Sequence, residues 1–366
     1  MSALERTSVA VHCGRRLIAV ENRHAFFEGP GGSEVVQFHR AVIATGAREL
    51  LLPFAGWTLP GVFGAGGLQA LAKNGWPVRG KRVLVAGSGP LLLASAATLR
   101  AGGANVVGIV EQTPWRALWR FAPAVVRARG KLRQSFGLAH RLRGIAYHAA
   151  THVVEAHGDS ALQSVTLRCG DKSWRVDCDY LAAGYGLVPN LEVAQAFGCE
   201  LRNGAVYVDA DQRTSVPGVF CAGEGTGIGG VDQAVAQGEI AGIAAAGQIV
   251  DAPAVRDRLA AAQQFAAALN KHFAVRDEVL DAARDDVLLC RCEDVSIGAV
   301  RACASMRAAK LHTRLGMGHC QGRVCGAAAA TLFGWTSPAS RLPLAPVSVA
   351  KMDFSSFSPD PSSTTP

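Results

Sequence analysis

Four cysteines toward the C-terminal end form two tight pairs. Cys290 and Cys292 make a Cys-x-Cys pair, and Cys320 and Cys325 make a Cys-x4-Cys pair. Thiolates are soft ligands that select zinc or iron–sulfur clusters, and four of them complete either kind of site. Structural zinc usually takes two Cys-x-x-Cys knuckles, which neither pair matches. The spacing therefore favours an iron–sulfur site over zinc; four unligated thiols, the third alternative, would be open to oxidation.

Basic residues and glycines surround the two pairs. They are Lys310, Arg314, Arg323, Gly316, Gly318 and Gly322. Cations and backbone N–H donors offset the negative charge of four thiolates around a cluster. His319, next to Cys320, has two interpretations: it bonds a cluster sulfur, or it faces solvent.

A glycine-rich turn lies between an apolar strand and a helix. In Gly87-Ser-Gly-Pro90 the first glycine makes the tight turn, and Gly89 lets the backbone approach a pyrophosphate at the helix N-terminus. Leu92 replaces the third glycine of G-x-G-x-x-G. Glu111 ends the next strand, where an acidic side chain can bond a ribose hydroxyl and disfavours a 2′-phosphate. The predicted site takes NAD or ADP-ribose, with an ATP-filled or unused site as alternatives.

Two further stretches look like those of flavoproteins with two dinucleotide-binding domains. Val42-Ile-Ala-Thr-Gly-Ala47 resembles the strand and turn that pass near FAD, and Val219-Phe-Cys-Ala-Gly-Glu224 resembles the second FAD motif. The resemblance implies an α/β fold of this class. The residues implied in FAD binding are Thr45, Gly46, Gly223, Glu224, Gly229 and Gly230.

The cysteine region resembles a known iron–sulfur module. Cys290-Arg-Cys-Glu-Asp-Val295 and the stretch 313–325 are similar to the bacterioferritin-associated ferredoxin type over about forty residues. That resemblance implies one [2Fe–2S] cluster, with Cys290, Cys292, Cys320 and Cys325 as its ligands.

Longer stretches resemble the large nucleotide-binding subunit of heteromeric amine dehydrogenases. This family includes opine oxidase, hydrogen cyanide synthase and the D-hydroxyproline and proline dehydrogenases. The similar stretches are Pro53–Phe63, the Gly87 turn, Gly184–Asn190 and Gly223–Gly230, within a similarity covering residues 40 to 350. The resemblance implies a partner flavoprotein subunit similar to glycine or D-amino-acid oxidases, and a further small subunit. The present chain would accept its electrons through flavin and the cluster.

One part of the flavoprotein pattern is missing from the sequence. No strand–G-x-G-x-x-G–helix unit precedes Ala44. We therefore expect the chain to hold FAD poorly or not at all, since the helix that would cradle its phosphates is absent. A late start or a truncated chain would each explain this. Neither a Ser-His-Asp set nor a metal-hydrolase motif is visible, so no catalytic residue is assigned.

Several structural domains must position these candidate sites. We predict a partial FAD-binding domain in 1–78 and 190–252, an inserted NAD(P)-like domain in 79–189, a helical linker in 253–286 and a [2Fe–2S] domain in 287–330. A C-terminal extension follows in 331–366, disordered from about 355. Strands with a turn at Gly29-Pro-Gly-Gly32 are predicted before residue 44, and the run from Val83 to Val110 is predicted as a βαβ unit. A basic helix is predicted over 117–143 and a strand over 174–183.

Charge and composition set limits on location and partners. Nearly half of the 366 residues are hydrophobic, which excludes a disordered chain. The net charge of +8 is concentrated in the arginine-rich stretch 116–143. This basic stretch could face nucleic acid, an acidic protein or an anionic membrane. Without an aromatic stacking series we favour a solvated helix face and no nucleic-acid partner. No transmembrane segment or export signal is visible, so we expect a cytoplasmic protein or one peripheral to the inner membrane.

Three functions remain open from sequence. The first is the electron-transfer subunit of an amine or amino-acid dehydrogenase, which we favour. The second is a nucleotide- and cluster-binding scaffold that senses redox state without turnover. The third is an inactive, truncated remnant.

Overall fold

The computed structural model describes residues 7–336 and 340–348. Most of the strands in these residues are short. The expected disordered tail from about 355 lies outside the described residues. In chain order the strands are β1 (Arg16–Glu21), β2 (His24–Gly29), β3 (Gly32–Gln37), β4 (Ala41–Ile43), β5 (Ala47–Glu49), β6 (Val62–Gly64), β7 (Arg82–Gly87), β8 (Asn105–Glu111), β9 (Tyr147–His148), β10 (His152–His157), β11 (Ser164–Cys169), β12 (Lys172–Asp177), β13 (Tyr180–Gly184), β14 (Leu187–Pro189), β15 (Leu201–Arg202), β16 (Ala205–Val206), β17 (Val219–Cys221), β18 (Leu288–Cys290) and β19 (Val295–Ser296).

Helices alternate with these strands and dominate the C-terminal third. They are α1 (Ala65–Lys73), α2 (Leu91–Ala101), α3 (Trp115–Arg127), α4 (Arg129–Arg141), α5 (Glu192–Ala196), α6 (Val231–Ala245), α7 (Pro253–His272), α8 (Asp277–Leu280), α9 (Ile297–Arg301), α10 (Met306–Thr313) and α11 (Cys325–Phe333), with a 3-10 turn at Gly223–Thr226. None of the described helices is both long and apolar enough to cross a membrane.

A five-stranded parallel sheet in the order β6-β13-β7-β8-β9 forms the central unit. Residues Val83 to Gly87 of β7 are all buried, because parallel strands are covered on both faces. Helix α2 connects β7 to β8 and buries Leu92 and Leu99 in the same core. The predicted βαβ unit, and with it the α/β fold class, is confirmed.

This sheet extends beyond the range 79–189 predicted for the inserted domain. β6 pairs with β13, and α1 follows β6, although both elements lie N-terminal to residue 79. The carboxylate of Glu49 accepts the N–H groups of Gly66 and Gly67 at 2.6 and 2.8 Å, which caps the first turn of α1. A three-residue strand in a proline- and glycine-rich stretch leaves no alternation to detect. The domain boundaries themselves stay predictions.

Two predicted elements are each divided in the structure. The basic helix over 117–143 is two helices, because Ala128 leaves the helical region (ψ 76°) between α3 and α4. The strand predicted over 174–183 is also two strands, β12 in an antiparallel sheet and β13 in the parallel sheet. Cys178 and Asp179 carry the chain between them. Both single-element predictions are therefore wrong.

The other described strands form antiparallel or two-stranded sheets. Strands β1 to β3 form a meander whose tight turn pairs Gly29 with Gly32, as the sequence predicts. β4 pairs in parallel with β17, and β5 pairs with β14, so these two pairs join segments far apart in sequence.

The cysteine-bearing segment has its own core and packs on the rest of the chain. β18, β19 and helices α9 to α11 enclose buried residues including Leu289, Ile297 and Leu315. The indole N–H of Trp57 donates to the carbonyl of Leu288 at 2.7 Å. This bond fixes β18, which leads to the first cysteine pair, against the central unit.

Candidate functional site

The four paired cysteines lie around one glycine-rich turn. Cys290 ends β18 and Cys325 begins α11, and each is 2% exposed, whereas Cys292 is exposed and Cys320 is half-buried. A Cβ on Gly318 would lie 2.3 Å from the Cβ of Cys292, so only glycine allows the two loops to approach this closely. The structure therefore brings all four predicted ligands to one corner of the segment, partly open to solvent.

The thiols affect one another's protonation. Burial raises the pKa of Cys325, and the neighbouring Cys290 and Cys320 raise it further. Burial also raises the pKa of Cys292, and the next contribution comes from Cys320. Among the described residues no group of three or more His, Cys, Asp or Glu side chains is arranged to hold a metal ion. The chemistry of the donor set fits a cluster with four thiolate ligands, and the ligand assignment stays a prediction.

The residues predicted to surround the cluster have other contacts as well. Arg314 pairs with Glu293 at 2.7 Å. Arg323 donates to the carbonyl of Cys320 at 3.3 Å and to that of Leu344 at 3.0 Å. His319 is exposed. The cations thus lie at the rim of the cysteine site and fix its loops.

The two stretches that resemble FAD-binding motifs meet at the ends of neighbouring strands. Thr45 and Gly46 follow β4, Gly223 and Glu224 follow β17, and the N–H of Ala222 donates to the carbonyl of Ile43 at 3.0 Å. Because parallel strands end at the same sheet edge, all four residues lie at one edge. Ligands commonly bind outside this edge in α/β sheets.

The Glu224 carboxylate occupies the N-terminus of α6. It accepts the N–H groups of Gly229 and Gly230 at 3.2 and 2.8 Å, where the helix dipole stabilises negative charge. A Cβ on Gly46 or Gly230 would meet nothing within 4 Å, and Val231 is 67% exposed. This glycine-lined edge is open and leaves room for the pyrophosphate and ribityl part of FAD beside Glu224, whose carboxylate already holds the N–H groups of Gly229 and Gly230. The described residues include no strand–G-x-G-x-x-G–helix unit for its adenosine half.

The Gly87 turn has the predicted backbone shape but is closed. Gly87 has φ +143°, and a Cβ there would lie 1.8 Å from the carbonyl oxygen of Gly184, so the tight turn requires glycine. Glu111 is 1% exposed and accepts the N–H groups of Gly89 and Thr113 at 2.7 and 2.9 Å. Burial raises the pKa of Glu111, which these bonds partly offset. Pro90 is exposed, while the three residues before it are buried.

Sequence reasoning missed Arg48, which joins two of the sites. Its Nε donates to the carbonyl of Arg323, between Cys320 and Cys325, at 2.9 Å. Its Nη1 donates to the side-chain oxygen of Asn190 at 2.8 Å, and Asn190 donates to the carbonyl of Thr45 at 2.9 Å. One guanidinium therefore links the cysteine corner to the flavin-type edge. Contacts over 275 residues leave no signal in local spacing. Arg323 lies inside the cysteine-bearing stretch 313–325, and Arg48 directly follows the Val42–Ala47 stretch.

Comparison with known proteins decides the family. The sequence profile of the pyridine nucleotide-disulphide oxidoreductases matches residues 2–238. The chain belongs to this family. Its relatives include hydrogen cyanide synthase subunit HcnB of Pseudomonas aeruginosa, 32% identical over 341 residues, which cover 85% of this chain and 72% of the relative. An opine oxidase subunit from Rhizobium meliloti (strain 1021) is 31% identical over 347 residues, covering 86% and 75%.

A solved structure shares the fold of this pyridine nucleotide-disulphide oxidoreductase. The crystal structure of L-proline dehydrogenase from P. horikoshii superposes with a TM-score of 0.63 at 18% identity. The match covers 93% of this chain and 64% of that one, so the present chain spans less than two thirds of its length. The resemblance to subunits of heteromeric oxidases, expected from the sequence, is confirmed; the iron–sulfur domain stays a prediction.

Proposed function

We propose that the chain is the electron-transfer subunit of a heteromeric flavin and iron–sulfur dehydrogenase that oxidises amines or amino acids. A partner flavoprotein subunit would oxidise the substrate, an opine, glycine, proline or hydroxyproline. The two named relatives are subunits of a hydrogen cyanide synthase and an opine oxidase, which supports the heteromeric arrangement. Flavin exchanges two electrons and a [2Fe–2S] centre one, so the pair would convert a hydride into single-electron steps.

The observation that carries this proposal is the contact made by Arg48. The carbonyl of Arg323 lies in the loop between Cys320 and Cys325, and Arg48 holds it against the Thr45–Asn190 corner. Asn190 also closes this corner through its main chain, because its N–H donates to the carbonyl of Gly46 at 3.0 Å. The two sites proposed for redox groups would therefore be adjacent, as an electron relay requires.

Each group of residues has a separate task in this proposal. The four paired cysteines would hold the cluster, with Cys292 on the exposed side facing an outside electron donor or acceptor. Gly46 and the Gly223 turn would let the flavin pyrophosphate approach the backbone. Glu224 satisfies the N-terminus of α6 and so keeps Gly229 and Gly230 in place.

Dye reduction with the partner subunit tests the proposal. The wild-type chain, combined with its partner flavoprotein and the correct amine, should show bleaching of the visible cluster absorption and reduction of an artificial acceptor. Cys320→Ser should abolish the bleaching, and Cys13→Ser should leave it unchanged because Cys13 is exposed and outside the cysteine site. A cluster that partner and substrate together never bleach contradicts the relay.

A further inference from the structure

The glycine-rich turn that resembles a nucleotide site is covered by the chain's own linker. Gly87, Ser88 and Gly89 are all buried. The segment between α7 and α8 passes over them, and the ring of Phe273 lies 3.8 Å from the position that a Cβ on Gly89 would take. The ring of Phe121 packs edge-on against Phe273, with centroids 5.0 Å apart, and closes the side of this cover.

Hydrogen bonds fasten the linker to the turn and to the end of β8. The hydroxyl of Ser88 donates to the carbonyl of Phe273 at 2.9 Å, and the side-chain amide of Gln112 donates to that of Ala274 at 2.8 Å. Arg276 bonds Gln112 twice. The backbone N–H of Arg276 donates to the side-chain oxygen of Gln112 at 2.9 Å, and the Arg276 guanidinium donates to the backbone carbonyl of Gln112 at 2.8 Å. Gln112 is 0% exposed, so these bonds are shielded from water.

A dinucleotide needs the groups that the linker and Glu111 already use. Pyrophosphate binds free N–H groups at the turn, yet the N–H of Gly89 is bonded to Glu111 and that of Ser88 to the carbonyl of Gly184 at 2.8 Å. The ribose would need an accessible carboxylate, but both oxygens of Glu111 accept backbone N–H groups in a buried position. The residues present at this turn do not fit NAD or ATP.

We propose that the Gly87 turn is a socket for the interdomain linker and binds no nucleotide. The linker continues through α8 toward β18, which ends at Cys290 and so leads into the first cysteine pair. Val279 and Ala282 of this segment pack in the same core as Leu84 and Leu181 of the central unit. The socket thereby fixes the cysteine site relative to the flavin-type edge, and electrons do not enter the chain from a nicotinamide at this turn.

Hydrogen exchange with and without nucleotide tests the socket. Peptides spanning 86–90 and 271–277 of the wild-type chain should exchange slowly, and NAD, NADH or ATP at millimolar concentration should change neither. Calorimetry under the same conditions should give no saturable heat. Protection of 86–90 by a nucleotide, accompanied by faster exchange in 271–277, would overturn the proposal, because it would show a ligand displacing the linker.

Variants of Gln112 and Arg276 test whether their hydrogen bonds hold the linker on the turn. Gln112→Ala and Arg276→Ala should each speed exchange in both peptides together by about tenfold or more, since buried partners lose their hydrogen bonds. Arg258→Ala, on α7 and paired with the exposed Glu239, is the control and should leave both peptides unchanged. If exchange in 86–90 stays at the wild-type rate in both fastening variants, the linker does not cover the turn and the proposal is wrong. These readouts do not depend on cluster or flavin, so they are separable from the proposed relay.

Discussion

Arg48 shows how much of the site depends on a single side chain. A guanidinium presents several donors in a rigid plane, so it can bond the Arg323 carbonyl and the Asn190 side chain at the same time. It also pairs with Glu192 at 3.1 Å, which balances its charge in a half-buried position. A lysine at this position could reach one of these partners but would not hold both in a fixed geometry.

Replacing Arg48 should slow electron transfer without removing the cluster. We expect Arg48→Ala to keep its iron content but to bleach about tenfold more slowly with partner and substrate, because the two sites are no longer aligned. Arg48→Lys should recover part of the rate. Stopped-flow absorption measures the rate, and Arg40→Ala, an exposed arginine bonded to the carbonyl of Ala245, is the control. A wild-type rate in Arg48→Ala, or loss of its iron, would show that Arg48 does not act by alignment.

At the level of elements, the turn after β7 requires glycine. We expect Gly87→Ala to lower the free energy of unfolding by about 3 kcal/mol, because its Cβ would collide with the Gly184 carbonyl and its φ is positive. Gly137→Ala is the matched control: it lies within α4 with open space around it and should stabilise by about 0.5–1 kcal/mol. Urea denaturation measures both. Equal effects in the two variants would mean that the turn is not tight.

Acid should destabilise the central sheet at Arg82, the first residue of β7. Asp179 accepts the backbone N–H of Arg82 at 2.8 Å and its guanidinium at 2.9 Å, and the guanidinium bond is the main cause of a lowered pKa for this carboxyl. A carboxyl whose pKa is lowered on folding stabilises the fold at pH values above its ordinary pKa of about 4. This stabilisation is lost as the pH falls further. The stability difference between wild type and Asp179→Asn should therefore shrink from pH 6 to pH 3.

The control for this pair is close by. Asp177 is exposed and lies 3.9 Å from Arg82, so Asp177→Asn should cost less than Asp179→Asn at pH 6. Thermal unfolding across the pH range measures both. An Asp179→Asn deficit that is the same at pH 3 as at pH 6 would contradict the assigned pair.

The sequence predicted those elements whose signal is local. The buried run of β7, its glycine turn and α2 follow from apolar pattern and glycine positions, and so does the hairpin at Gly29. The break at Ala128 was missed because alanine favours helix, and β6 was missed because three residues show no alternation. Gln112 and Phe273 could not be found, since their contacts join segments more than 150 residues apart.

At the scale of the whole molecule, three segments distant in sequence meet at the proposed relay. The flavin-type edge combines β4 with β17, the cysteine site follows a linker seated on the Gly87 turn, and Arg48 connects the two. The order of the motifs in the sequence predicted the flavin-type edge and the cysteine site. That these two sites are neighbours is visible only in the folded chain. This arrangement is what the proposed electron carrier requires.

The most direct test is the metal content of anaerobically purified wild-type protein. Iron and acid-labile sulfide should be present in equal amounts, and dithionite should bleach the visible absorption and give the electron paramagnetic resonance signal of a reduced two-iron centre. Protein that carries neither iron nor sulfide, or that holds zinc at the four cysteines, would contradict the account.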